Sequence, residues 1–400
     1  VRRRILLFAI LYASEGAPIG FIWWALPTLL RSADVPVDRI TSLTAVVLLP
    51  WVFKFLWAPL LDLLRGPGWG YRAWIVAMQT LMALALVPLI WIDPVTGFGW
   101  WRTLLLLHAV AASTQDVAID ALAIAAVPPA SRGRLNGAMQ AGMLTGRSVF
   151  GGAVLTIGAV LGIAGIVAAL VIWIGVAMTA ALWLREAEPP RRADGATFFG
   201  ALAAAARMKT TWVGLAFAVV SAAAFEATGQ LAGPFLVDRS VQGATIGVFF
   251  SVFVVAAMLT GGLAGGAVSD RFGRLRTAAL SLLGFVAFIV LLAGADARGG
   301  ASPPTLIALL AGMYFFVGVF TAASYALFMD LTDPRLGATQ FSAYMAATNA
   351  CESWSAWGGG RLAATHGYPA AFMVMSVISL ASLPLLALMR RMTRHIPTGH

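Results

Sequence analysis

Apolar runs long enough to cross a bilayer recur along this chain, separated by short polar stretches. About 18 or more consecutive apolar residues span the hydrocarbon of a membrane. There each backbone N–H and C=O must be satisfied inside its own segment, which for such runs means an α-helix. The pattern predicts twelve spans, over residues 5–30, 41–63, 73–92, 103–127, 135–158, 163–184, 211–236, 244–267, 277–295, 304–329, 338–360 and 369–389. Composition agrees, since only 11% of residues are charged and 60% are hydrophobic, whereas ordinary soluble chains carry about 25% charged residues. The first run follows Arg2, Arg3 and Arg4 like the basic end of a signal peptide. It is too long for one, contains Glu15 and is followed by further spans, so an uncleaved first helix is expected.

The net charge of +10 is explained by topology rather than by nucleic acid, because no basic soluble domain exists to carry such a site. Alternate loops are rich and poor in arginine and lysine: nineteen basic residues fall on one side and six on the other. The two left over, Lys54 and Arg147, lie inside spans. The positive-inside rule then places both termini in the cytoplasm. The single cysteine, Cys351, excludes an intrachain disulfide and sits in apolar surroundings that favour an inert thiol.

The longest loop divides the chain into residues 1–184, a cytoplasmic linker 185–210 and residues 211–400. Its later part, FFGALAAAARMK, has the pattern of a short amphipathic surface helix. The two parts on either side read as a repeat. Pro27 and Pro234 close the first span of each, and Asp62 and Asp270 follow 35 and 36 residues later. The fold expected is an all-α membrane protein of twelve helices in two pseudo-symmetric six-helix bundles, with a polar cavity between them.

Charges inside the spans mark where function lies. Ser113 to Ala121 reads STQDVAIDA, which puts Asp116 and Asp120 one helical turn apart on a shared face, beside Gln115. A carboxylate at the centre of a lipid-spanning helix costs about 2.5–3.5 kcal/mol on insertion scales, so such groups face protein or water and mark ion or substrate paths. The alternative is a structural polar cluster. Lys54 lies at a similar depth in the same half and pairs with Asp116 or Asp120, either within the mechanism or only as a counter-ion. Glu15, Arg147, Glu226 and Glu352 fall roughly 15–23 Å from the cytoplasmic ends of their spans. Glu15 and Glu226 are the candidate proton carriers, with Asp116 and Asp120 next. Arg147 is placed to attract an anionic substrate group, and Gln115, Asn349, Glu352 and Trp354 complete the candidate substrate site. The alternative for Glu352 is a helix contact away from it, and Trp354 and Trp357 either stack on substrate or pack. His108, two turns from Asp116, feeds it protons or is incidental. Trp23, Trp24, Trp100 and Trp101 are expected as interfacial anchors. No metal-ligand cluster, phosphate loop or catalytic set appears, so neither cofactor nor enzymatic activity is expected.

At Asp270 the chain reads GGAVSDRFGRLR, and Gly266, Asp270, Arg271, Gly273, Arg274 and Arg276 meet a pattern that resembles the loop signature of the major facilitator superfamily. A degenerate first copy keeps Asp62, Arg65, Gly70 and Arg72. The resemblance implies gating loops built from Asp62, Arg65, Arg72, Asp270, Arg271 and Arg274, with an acid set against a helix N-terminus and arginines nearby. A narrower likeness rests on LPWVFKFLWAPLLD at Leu49 to Asp62, SEGAPIGFIWWALPTLLR at Ser14 to Arg31, STQDVAIDA and GATQFSAYMAA at Gly337 to Ala347. These strings are similar to the peptide/acetyl-CoA transporter family, which includes muropeptide permeases, acetyl-CoA transporters and siderophore importers.

That resemblance implies a proton-coupled importer of a sizeable polar or amphipathic solute, such as a muropeptide, siderophore or acyl-CoA-like compound. The rival function is a non-transporting membrane sensor on the same fold. The expected partners are a small-molecule substrate, protons and the bilayer, for a monomer in the inner membrane. Three departures set this chain apart from muropeptide permeases. Its fifth-span arginine is Arg147, where theirs falls near Leu144; Glu15 replaces a Gln or small residue; and the chain ends ten residues after Arg390, without two further spans.

Overall fold

The computed structural model describes residues 2–64, 69–126, 132–183, 200, 203–204, 207–299, 301–331 and 337–393. Ten of its helices are long and apolar enough to cross a membrane. In chain order the helices are α1 (Arg3–Ser32), α2 (Val37–Leu63), α3 (Tyr71–Ile90), α4 (Phe98–Ala126), α5 (from Arg132 to the break at Gly162), α6 (from that break to Trp183), α7 (Lys209–Asp238), α8 (Gly243–Phe272), α9 (Arg274–Ala297), α10 (Pro303–Leu331), α11 (Gly337–His366) and α12 (Tyr368–Met392). Only α5 and α11 fall short of the apolarity that marks the other ten. They carry the polar strings RGRLNGAMQ and GATQFSAY and the charges Arg147 and Glu352. Each of the twelve expected spans thus has its helix. Gly162, at φ 62°, turns the chain between α5 and α6, and Gly273, at φ 87°, does so between α8 and α9. Both are left-handed conformations that glycine adopts without the clash a Cβ would bring.

The chain forms two compact units. The first comprises Val1–Val35, Val46–Arg192 and Ser240–Val252. Its α1 and α5 approach so closely that a Cβ on Gly16, Gly142 or Gly146 would meet the backbone of Met143, Ala9 or Ala13. Small residues are what allow such contact in lipid, where no hydrophobic force drives helices together. Three π-helical turns, Phe21–Ala25, Ser148–Ala153 and Phe249–Val254, interrupt α1, α5 and α8. Within this unit Trp24 stacks on Phe250 with centroids 5.3 Å apart, and Ser148 Oγ donates to Ser251 O at 2.8 Å. A buried cluster including Phe8, Tyr12, Leu61, Ile75, Ile119 and Leu122 forms the core around the lower part of α4.

The second unit comprises Pro36–Ala45, Ala193–Arg239 and Phe253–His400. Here α8 meets α10 through Gly261, Gly265 and Gly318, again with backbone against backbone. Phe225, Phe285 and Phe320 pack edge to face in its core, with centroids 5.3–6.1 Å apart. Two of its helices are interrupted, α7 at Ser221–Ala222 and α12 at Ala381–Ser382. The freed backbone groups in α7 take side-chain partners. Ser379 Oγ accepts from Ala224 N–H at 2.8 Å, and Trp354 Nε1 donates to Val219 O at 2.9 Å. That satisfaction is what makes a broken helix tolerable in lipid.

Three of the four tryptophans expected as interfacial anchors are buried instead. Trp101 is 1% exposed and donates to Ile92 O at 2.9 Å, Trp24 lies on Phe250, and Trp23 meets Trp51 edge-on. Trp100 is exposed. Indoles in a helical bundle can bury their ring when the N–H finds a carbonyl, as Trp101 does. Most of the linker, including most of the expected surface helix, lies outside the described residues.

Candidate functional site

The first unit gathers most of the chain's intramembrane charge on the facing sides of α1, α2 and α4. Lys54 of α2 forms an ion pair with Asp116 of α4. Asp120, one turn further along α4, accepts instead from the hydroxyl of Tyr12 on α1. Tyr12 lies three residues before Glu15, so both occupy one face of α1. Glu15 is 2% exposed, lies within hydrogen-bonding reach of Asp116, and leaves its Oε2 without a partner. Three carboxyl groups and one ammonium therefore share an apolar pocket. An ionised carboxylate can only accept, so Glu15 and Asp116 bond to each other only when one of them carries a proton. Trp57 fixes α2 against α4 beside the pair, its Nε1 donating to Thr114 Oγ1 at 3.1 Å.

Other polar groups are buried in the same unit. Gln115 is fully buried, and neither its oxygen nor its nitrogen has a partner. Arg147 sits where α5 crosses α1, its backbone against Gly20, and its Nε is buried without a hydrogen bond. His108 is fully buried on α4, with Nδ1 3.2 Å from Met82 O.

The second unit holds a separate group. Gln230 Nε2 donates to Glu352 Oε1 at 3.2 Å, joining α7 to α11. Glu226, one turn before Gln230 and half-buried, and Glu352 both act electrostatically on the buried Cys351. Trp354 is committed to the α7 break through Val219 O. Asn349 is half-buried on the same helix as Glu352. Trp357 is exposed and carries the guanidinium of Arg361 over its ring at 5.3 Å.

Of the gating-loop residues, Arg65 and the side chain of Asp62 lie outside the described residues. Arg72 begins α3, and Asp270 and Arg271 are exposed at the end of α8. Arg274 pairs with Asp330 and donates to Ala326 O at 3.0 Å. A cation thus sits at the C-terminal end of α10, where the helix carbonyls favour it. This contact is what the described part of the second loop displays.

Sequence reasoning missed Tyr12 and Gln230. Each was within reach of it, lying one turn from Glu15 and from Glu226 on the same helix face.

Comparison with known proteins follows from this arrangement. The description of the Major Facilitator Superfamily matches residues 215–399, and that of Acetyl-coenzyme A transporter 1 matches residues 4–95. The anhydromuropeptide permease of Escherichia coli (strain K12) is 25% identical over 409 residues, covering 97% of this chain and 80% of the permease. A putative transporter, AmpG 4, of Rickettsia conorii is 24% identical over 411 residues, covering 95% of each. The crystal structure of a bacterial homologue of the human lysosomal transporter Spinster, inward-facing and unoccupied, superimposes with a TM-score of 0.74 over 97% of each chain at 16% identity. The chain is similar to members of the major facilitator superfamily, and its fold is theirs. Ten of its helices are long and apolar enough to cross a membrane, and the proteins it is similar to are transporters and permeases. The likeness to the Spinster homologue concerns the fold alone.

Proposed function

We propose that this protein is a proton-coupled importer of the major facilitator superfamily, with both termini in the cytoplasm. Its cargo is a sizeable polar or amphipathic solute, of the muropeptide, siderophore or acyl-CoA-like kind. The observation that carries the reading is the Glu15–Asp116 contact beside Lys54 in an otherwise apolar interior. A carboxyl pair that shares a proton binds it more weakly whenever a cation or water approaches, so a change in access can load or discharge it. Lys54 is poised to make such a change by tightening or loosening on Asp116. Import is the direction in which an inward proton gradient drives a symporter. The substrate class is supported by the likeness to an anhydromuropeptide permease and to an acetyl-coenzyme A transporter description.

A binding screen on purified protein with anhydromuropeptides, ferric siderophores and acyl-CoA identifies the cargo. In proteoliposomes loaded with that cargo, Glu15→Gln is expected to abolish accumulation driven by a pH gradient and to leave exchange of labelled for unlabelled substrate intact. If Glu15→Gln, Glu226→Gln and the double variant all still accumulate substrate, neither glutamate carries the coupled proton, and Asp116 and Asp120 become the leading candidates.

A further inference from the structure

Between α3 and α4 of the first unit lies a row of buried polar groups that the carboxyl cluster does not absorb. On α4, His108, Ala111, Ala112 and Gln115 fall on one face at spacings of three, one and three residues, and all are buried. On α3 the buried stripe runs through Ile75, Gln79 and Met82. The contact of His108 with Met82 O fixes the register of the two antiparallel helices. Gln79, three residues before Met82, is therefore level with the two alanines. Ala111 and Ala112 have no side-chain polar atom to offer its amide.

Five polar atoms in this row have no partner: both of Gln79, both of Gln115 and Nε2 of His108. A carbonyl only accepts, so the hydrogen bond to Met82 O places the ring hydrogen on Nδ1 and leaves His108 Nε2 a bare lone pair. That lone pair needs a donor. Buried groups of this kind are ordinarily satisfied by internal water, each molecule making about three hydrogen bonds. Apolar residues close the row at both ends. Leu86, Leu89 and Leu105 are buried beyond His108, and Ile75 packs with Ala118 and Ile119 below Gln115. Asp116, which follows Gln115 on α4, belongs to the group formed with Glu15, Lys54, Tyr12 and Asp120.

We infer that the α3–α4 interface encloses bound water, hydrogen-bonded to Gln79, Gln115 and His108 Nε2, which relays protons between the Glu15–Asp116 pair and His108. The inference rests on the proton-coupling reading above for its role, but not for the water itself. A proton leaving the carboxyl pair passes to water, is handed along as the next O–H bond forms and the last one breaks, and ends on the lone pair of His108 Nε2. The reverse sequence returns it. His108 is the blind end of the file, and Gln79 and Gln115 are the positioning residues that hold the water between the two proton sites.

Hydroxyl-radical labelling by X-ray radiolysis of the purified protein tests the water, because radicals formed from bound water oxidise the buried side chains beside it. Met82 and His108, both fully buried, should be oxidised at rates within several-fold of the exposed His366. Replacing the amides by leucine of similar size, as Gln79→Leu/Gln115→Leu, should lower both rates at least fivefold; the single variants serve if the double variant does not fold. Infrared spectroscopy tests the relay. The protonated-carboxyl band that disappears in Glu15→Gln should shift on transfer to D2O at least tenfold more slowly in the leucine variant than in the wild type. Silence at Met82 and His108 in the wild type overturns the water site, and unchanged deuterium exchange in the leucine variant overturns the relay. Absence of any Glu15-dependent band overturns the relay together with the proposed proton site, while the oxidation of Met82 and His108 decides the water on its own.

Discussion

Lys54 is the residue on which the first unit's charge balance turns. It is the cation that faces Asp116, with Asp120 and Glu15 close by. Removing one member of a buried ion pair leaves the other charge unsolvated, at a cost of about 3–5 kcal/mol, whereas removing both is often neutral. The Lys54 side chain is 26% exposed, which places the expected cost at the low end of that range. Lys54→Ala should therefore lower the unfolding temperature in detergent more than Lys54→Ala/Asp116→Asn does. Adding Asp120→Asn to Lys54→Ala should rescue little, because Asp120 is held by Tyr12. Additive effects in the Asp116 double variant would show that the two groups do not act as a pair. How far this site was legible is instructive. A lysine buried mid-span announces a nearby carboxylate, so the sequence narrows its partner to Asp116 or Asp120. It cannot choose, since residues four apart on a helix are equivalent until the neighbouring helix is placed. The choice falls to Tyr12, a residue whose side chain carries no charge to draw notice.

At the scale of elements, the spans were legible and their interruptions were not. Apolar length alone predicts a membrane helix, and each of the twelve expected spans has one, ten of them apolar along their length. The π turns in α1, α5 and α8 lie where these helices touch, and the break in α7 where Ser379 and Trp354 reach its backbone. Sequences such as VVSAAAF and SLASLPL give little local warning of them. The glycines divide in the same way. Gly162 has open space around it and is required for its backbone angle alone, whereas Gly146 is required by the approach of α1. Gly162→Ala should cost about 1–3 kcal/mol, because φ 62° with ψ 171° is backbone that essentially only glycine adopts. In Gly146→Ala the new methyl would overlap Ala13 O and lie 2.7 Å from Ala17 N. Two backbones would have to part, and overpacking of this kind costs about 3 kcal/mol or more when no flexible side chain can give way. Thermal unfolding of the two variants in one detergent should show the larger drop for Gly146→Ala. Equal drops would mean that the α1–α5 contact is looser than the close backbone approach implies.

For the whole molecule, orientation in the membrane follows from where the basic residues fall, and it decides which side delivers the proton. Nineteen loop and terminal basic residues against six is a bias that the insertion machinery reads over short loops near span ends. The rule predicts that the linker lies in the cytoplasm and that the turn between α9 and α10, with Arg298, lies outside. Cysteine labelling can read both positions in one protein because its native thiol is silent: Cys351 is fully buried. A thiol introduced by Gly195→Cys should react with a membrane-impermeant maleimide only after the cytoplasmic face is opened. The thiol from Arg298→Cys should react in intact cells. The exposed Arg298 turn, entered through Gly299 at φ 69°, leaves space for the reagent. Reaction of both positions from the same side would break the alternation of spans, since an even number of crossings would then separate α7 from α9. Reaction of the pair in the opposite sense would keep the twelve spans and invert the protein, placing both termini outside the cytoplasm.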